Sequence, residues 1–221
     1  MTRQLVITED GSSSIFIAEL NEHFHSIHGA IQESKHIYIE AGLNQKINKQ
    51  KNIDVLEVGF GTGLNALLTC MEGESRQQNI QYTSIEKYPL ESSLYPQLNF
   101  CTILDNPHCT SIFNTIFTSE WEKIKVISDF FSLLKLRMDI EESVFRNQFD
   151  IIYFDAFAPA VQPELWTASI FKAMFMALKP NGFLVTYCAK GEVKRTLTEV
   201  GFRIESLPGP KGKREMTRAI K

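Results

Sequence analysis

Apolar residues in this chain fall into short runs separated by polar or glycine-containing turns, and the spacing switches repeatedly between strand and helix periods. Val55, Leu56 and Val58 follow Asp54 and open directly into Gly59, Gly61 and Gly63. That run reads as a buried parallel strand, and residues 64–71 (LNALLTCM) read as the helix that follows. Further strands are expected at 81–86, 121–129, 151–154, 183–187, 202–206 and 215–220, giving seven in all. Between them, helices are expected over much of 89–117 with Pro96 and Pro107 as breakers, from residue 130, from Pro163 to about Leu178, and over 192–200 up to Gly201. The alternation predicts an α/β Rossmann-like fold, a mostly parallel seven-stranded sheet whose last strand returns antiparallel. Ahead of it, residues 4–8 and 15–18 flank a polar turn and predict a β-hairpin, with a helix from about Ala30. We therefore expect an N-terminal extension over 1–48 packed on a main domain over 49–221.

The glycine turn is the first chemical signal. Glycines at 59, 61 and 63 permit backbone angles that a Cβ disfavours and let the chain approach a ligand closely, beside free N–H groups at a helix start. The spacing is G-x-G-x-G with Glu57 two residues ahead. It is commoner in S-adenosylmethionine sites than in dinucleotide sites, which use G-x-G-x-x-G. Glu86 ends the next strand about twenty residues on, placed to accept hydrogen bonds from ribose hydroxyls. The candidate cofactor-binding set is Glu57, Gly59, Gly61, Gly63, Asn65, Glu86, Lys87 and Asp129, the last at the end of the expected third strand, near an adenine amine. Asp155 leaves the strand 151–154 at the edge where open α/β sheets bind ligands, and is the candidate catalytic group.

Composition narrows the class. With 221 residues, 43% of them hydrophobic, the chain can bury one full core. The first residues lack an apolar leader and no stretch is long enough to span a bilayer, so a cytoplasmic protein with no membrane partner is expected. Cys70, Cys101, Cys109 and Cys188 are scattered without a C-x-x-C pair and are expected as buried reduced thiols. His23, His25, His28 and His36 match no common zinc spacing, so no metal is expected; lining the mouth of the site or capping local structure fits them better. The net charge is −3, unevenly spread: residues 190–221 carry nine Lys/Arg against four Glu. Such a basic tail on an acidic body can face a polyanion.

Taken together, the segments Glu22-His-Phe-His-Ser-Ile-His-Gly-Ala with Glu33, Ser34 and His36, then 57–65, Asp155-Ala-Phe-Ala-Pro, Pro163-Glu-Leu-Trp-Thr and Gly209-Pro-Lys-Gly-Lys-Arg-Glu-Met resemble the methyltransferase component of the bifunctional MnmC proteins. They are closer still to its stand-alone bacterial counterparts. The resemblance covers nearly the whole chain, and its aspartate–tryptophan motif joined to the K-R-E-M tail is more specific than the glycines. It implies a class I fold, S-adenosylmethionine as methyl donor, S-adenosylhomocysteine as product, and the wobble uridine of tRNA as substrate. The acceptor implied is 5-aminomethyl-2-thiouridine or its oxygen analogue. No flavin is expected, since the oxidative domain of the bifunctional relatives does not fit in this length. Ser128 stands where relatives often have glycine, which weakens the assignment of Asp129.

Under this resemblance Asp155 orients the amine and helps carry off its proton. Phe157, Pro159, Trp166 and Tyr153 are expected around the extruded base. Lys190, Lys194, Arg195, Lys211, Lys213 and Arg214 are expected on the phosphates of the anticodon stem-loop. Rival readings are a methyltransferase for a small amine or free nucleoside and a non-catalytic nucleotide-binding module. An NAD oxidoreductase is disfavoured by the glycine spacing and by the lack of a hydride-handling His/Arg pair.

Overall fold

A computed structural model describes residues 2–221. Two sheets form. The smaller is antiparallel, with β1 (Arg3–Ile7), β2 (Ser13–Ile17) and β3 (Glu22–His23) in that order. The expected N-terminal hairpin is therefore present, extended by a short third strand. Next come α1 (Ala30–Ser34) and a continuous π-helical turn, Lys35–Glu40.

The larger sheet has eight strands. They are β4 (Asn52–Val58), β5 (Asn79–Ile85), β6 (Ile124–Ser128), β7 (Phe131–Leu136), β8 (Phe149–Phe154), β9 (Leu178–Thr186), β10 (Arg203–Pro208) and β11 (Glu215–Ile220), ordered β10-β11-β9-β8-β4-β5-β7-β6. Strands β9, β8, β4, β5 and β7 are parallel; β11 runs antiparallel between β9 and β10, and β6 is an antiparallel edge. The chain leaves β4 toward β5 on one side and reaches β8 on the other. The switch in direction opens a crevice at the C-terminal ends of these strands.

Residues 130–136 correct the sequence reading. They do not start a helix: Phe131, Leu133 and Lys135 are buried in alternation with Ser132, Leu134 and Leu136, the period of a strand. Residues 121–129 hold only the short antiparallel β6, so the sheet has eight strands instead of seven. Asp129 lies in the turn between β6 and β7, at the edge where β7 begins. The ligand edge is at Leu136, five residue steps or roughly 16 Å further along the strand. Asp129 is thus on the wrong side of the sheet for an adenine contact.

Alternation along the central strands builds two cores. Val55, Ile151, Tyr153 and Val185 face α2 (Leu64–Arg76), α4 (Cys109–Thr118) and the N-terminal elements. Leu56, Val58, Ile152, Phe154 and Leu184 face α5 (Ala168–Ala177) and α6 (Gly191–Val200). Ile15, Ala30 and Ile37 join the first core, so the N-terminal segment packs against the main sheet's own helices.

A second correction concerns the cysteines. Cys101, in α3 (Phe100–Leu104), and Cys109, at the start of α4, form a disulfide with Cα atoms 5.3 Å apart, because the turn between these helices folds back on itself. Cys70 and Cys188 are free and buried.

Candidate active site

The parallel strands converge on a cavity of about 730 Å³ at their C-terminal edge. Its floor is the turn after β4. Gly59 has φ +94°, and a Cβ there would sit 2.7 Å from the backbone oxygen of Asp155, so the glycine lets β4 and β8 end side by side. Gly61, at φ +50°, lies under the ring of Phe24, which a Cβ would meet at 3.2 Å. Phe24 in turn meets Phe157 edge to face, with ring centroids 5.4 Å apart. The segment after β3 therefore roofs the glycine turn.

Glu86, just past β5, accepts from the backbone N–H of Gly61 at 3.2 Å and of Tyr88 at 2.8 Å. These bonds fix a carboxylate beside the glycines. Lys87 pairs with Asp139, and Met138, Asp139 and Ile140 line the cavity from the end of β7. Asp139 thus occupies the edge position that the sequence reading gave to Asp129. Once 130–136 is recognised as a strand, its position after that strand identifies it.

Asp155 begins the loop after β8, with its N–H bonded to Val58 O at 3.0 Å. Asn65, in the first turn of α2, donates from Nδ2 to Asp155 Oδ2 at 2.8 Å. Burial pushes the Asp155 carboxyl up to about 6, and Glu33 adds to the rise; Tyr38, Asn65 and Lys213 pull it down. Above pH 6 it is an anion aimed into the cavity, as a hydrogen-bond acceptor for an amine requires.

Glu57 is not on the cavity wall. It is fully buried on the face of β4 that carries Val55, where it accepts from Ser84 Oγ at 2.6 Å. Burial chiefly, helped by the charge of Asp155, pushes its pKa up to about 8. It lies beneath the site and does not line the cavity. Trp166 is likewise buried, 6% exposed, and its indole N–H donates to Phe157 O at 2.8 Å. It braces the loop that carries Phe157 and presents no surface to a base. Tyr153 is buried on β8 in the core toward α2, and Pro159 is partly exposed.

The basic tail is rearranged by pairing. Lys190 faces Glu192 at 3.8 Å, Lys194 bonds Glu215 at 2.7 Å, Lys211 bonds Glu9 at 2.9 Å and Lys213 bonds Glu33 at 2.6 Å. Lys213 lines the cavity and does not stand free on the outer surface. Arg195 and Arg214 are exposed. His23 and His25 line the cavity. His25 lies 3.2 Å from Ser14 Oγ and 3.3 Å from Thr62 Oγ1, and burial pushes its pKa down to about 4, so it ties β2 to the glycine turn as a neutral ring. His28 sits beside Glu9, and His36 bonds Pro208 O at 2.8 Å. Among the described residues no group of three His, Cys, Asp or Glu side chains is arranged to hold a metal. Phe24, Glu33, Tyr187 and Asp139 were not singled out from the sequence as parts of the site.

The sheet order, glycine turn and edge cavity define a class I S-adenosylmethionine-dependent methyltransferase fold. A model of the S-adenosyl-L-methionine-dependent methyltransferase family matches residues 115–221. Within the class the chain is similar to the MnmC proteins. The tRNA 5-methylaminomethyl-2-thiouridine biosynthesis bifunctional protein MnmC of Paraburkholderia xenovorans (strain LB400) is 29% identical over 210 residues, 87% of this chain and 31% of the relative. The chain thus spans about a third of the length of the curated relatives it matches. The crystal structure of MNMC2 from Aquifex aeolicus matches with a TM-score of 0.78 and 26% identity, covering 99% of this chain and 69% of that one. Spermidine synthase from Thermotoga maritima, at 16% identity and a TM-score of 0.57 over 100% of this chain and 72% of that one, is alike in fold alone.

Proposed function

We propose that this protein methylates the aminomethyl group of 5-aminomethyl-(2-thio)uridine at the wobble position of tRNA, using S-adenosylmethionine and releasing S-adenosylhomocysteine. The supporting observation is the joint placement of Asp155 and the glycine turn in one cavity, in a chain similar to MNMC2 over almost its whole length. The relative's name supplies the chemistry: 5-methylaminomethyl-2-thiouridine differs from its primary amine by one methyl group, which a methyltransferase fold is suited to add.

The residues fit the donor. Gly59 and Gly61 leave backbone where a Cβ would close the cradle, and Glu86, held beside the glycines, would accept from the ribose hydroxyls. Bound there, S-adenosylmethionine supplies a methyl group made electrophilic by a positively charged sulfur. In this reading Glu86, Lys87 and Asp139 hold the adenosine end, while Asp155 and Phe157 face the acceptor. The acceptor amine forms its new N–C bond with a lone pair, so it must enter unprotonated or lose a proton on the way. Asp155, anionic above pH 6, accepts one amine N–H, aims the lone pair and takes up a share of the released proton.

The extension, residues 1–48 in this reading, roofs the acceptor side through Phe24, while residues 49–221 carry the donor half. Arg195 and Arg214 would meet the phosphates of the anticodon stem-loop. The proposed reaction uses neither flavin nor metal. No helix among the described residues is long and apolar enough to cross a membrane. Incubation with labelled S-adenosylmethionine and tRNA from a strain lacking this modification tests the proposal. The expected product, identified by mass spectrometry of digested tRNA, is 5-methylaminomethyl-(2-thio)uridine. Label in a free amine or nucleoside but none in tRNA would overturn it.

A further inference from the structure

The loop 209–214 turns a lysine away from solvent. Gly209 N–H bonds Arg214 O at 3.1 Å and Lys213 N–H bonds Pro210 O at 2.9 Å. Gly212, at φ +84°, packs so closely on His28 that a Cβ would run into the imidazole. The fold-back directs Lys213 into the cavity that contains Asp155. There its Nζ bonds Glu33 Oε1 at 2.6 Å and sits 4.0 Å from the centroid of the Tyr187 ring. Each partner is itself held: Glu33 Oε2 accepts from Ser26 N–H at 2.7 Å, and Tyr187 donates to Ala156 O at 2.8 Å, next to Asp155.

An ion pair of this kind, with Lys213 still a third exposed, adds little net stability. Its placement at the end of a cavity that binds charge calls for a different reason. Asp155 alone would favour the protonated form of an incoming amine, the form that cannot attack. Both oxygens of Glu33 are already taken, whereas the ammonium spends only one of its three donors on Glu33. The charged and titratable groups around Lys213 are Glu33 on α1, Glu22 on β3, Asp155 after β8, and Tyr187 and Cys188 after β9.

We infer that Lys213, fixed by Glu33 over the Tyr187 ring, sets the charge state of the acceptor: its ammonium offsets the carboxylates that would otherwise hold the amine as a cation beside Asp155, and so lets the amine enter as its free base. The inference rests on the amine-acceptor reading above. It gives Lys213 a specificity-determining role inside the site in place of a phosphate contact. A cationic neighbour is a general way to keep an amine nucleophilic near neutral pH.

Single-turnover methyl transfer with saturating aminomethyl-tRNA, followed from about pH 6 to about pH 10, tests it in the parent and in K213R, K213M and the K213M/E33Q double variant. The double variant removes the pair without leaving an uncompensated carboxylate. The expected result is an acid limb that moves upward, furthest in K213M and less in the double variant. Near neutral pH K213M should be slower by about tenfold, with the rate regained at high pH, while K213R stays within about twofold of the parent. A working parent whose acid limb stays in place in both K213M and the double variant, or variants slowed equally at every pH, would overturn the inference alone. A parent that methylates no aminomethyl-tRNA at any pH would overturn the amine-acceptor reading, and the inference with it.

Discussion

Asn65 Nδ2 stands 2.8 Å from Asp155 Oδ2, joining the first turn of the helix after the glycines to the end of a strand ninety residues later in the chain. The bond fixes one oxygen of a carboxylate that lines the cavity. Replacing Asp155 with asparagine keeps the shape and removes the charge. The expected outcome is a loss of about 10²-fold in single-turnover methyl transfer, with S-adenosylmethionine affinity by calorimetry within about threefold of the parent. A D155N enzyme with a parental rate would remove Asp155 from the chemistry.

Gly59 combines φ +94° with a backbone neighbour 2.7 Å from any Cβ. Gly59→Ala must distort the turn or push β8 away. A loss of about 1–3 kcal/mol in stability is expected, together with weakened S-adenosylmethionine binding. Thermal melts with and without the donor check both. An unchanged melt and affinity would show that the turn can yield.

Stability should depend on Glu57 in a defined pH window. Its carboxyl is raised from 4.5 in the unfolded chain to about 8 in the fold, so between these values the native state binds the extra proton and stability falls as pH rises. Asp155, raised from 3.8 to about 6, acts in the same direction at lower pH; His25, lowered from 6.5 to about 4, acts in the opposite direction below 6.5. From pH 6.5 to 8 Glu57 stands clear of both, and a decline of about 2 kcal/mol is expected in denaturant titrations. Glu57→Gln, which keeps a hydrogen-bonding group of the same size, should flatten that decline.

Exposed cations should govern tRNA affinity. Lys194, Lys211 and Lys213 are engaged with Glu215, Glu9 and Glu33, whereas Arg195 and Arg214 face solvent. Arg195→Ala and Arg214→Ala are each expected to weaken tRNA binding and to reduce the slope of log affinity against log salt by about 1. Filter binding across a salt series reads this directly. An unchanged slope in both variants would move the tRNA surface elsewhere.

Trp166→Phe should act through Phe157. Losing the 2.8 Å bond to Phe157 O is expected to cost about 1 kcal/mol of stability and to raise KM for tRNA more than it lowers kcat. Melting curves and steady-state kinetics separate these effects.

Local pattern determined much of this protein. The run Val55–Val58 opening into glycines, Glu86 at a strand end and Asp155 at another were legible because strand ends in an open α/β sheet share one edge, so sequence position alone places them. Residues 130–136 were not legible. Leu133, Leu134 and Leu136 suit a helix locally, and pairing of Phe131–Leu136 with Ile80–Ile85 made them a strand, which carried Asp129 to the far edge and Asp139 to the near one. Only the tertiary structure could decide the fates of Glu57, Trp166 and the basic tail. Glu57 and Trp166 point into cores built from distant segments. The tail's lysines find carboxylates up to 202 residues away. A charge's role depends on what faces it in space, and for Lys213 that is Glu33, Tyr187 and Asp155, three residues that the chain brings together only when the N-terminal segment closes over the sheet.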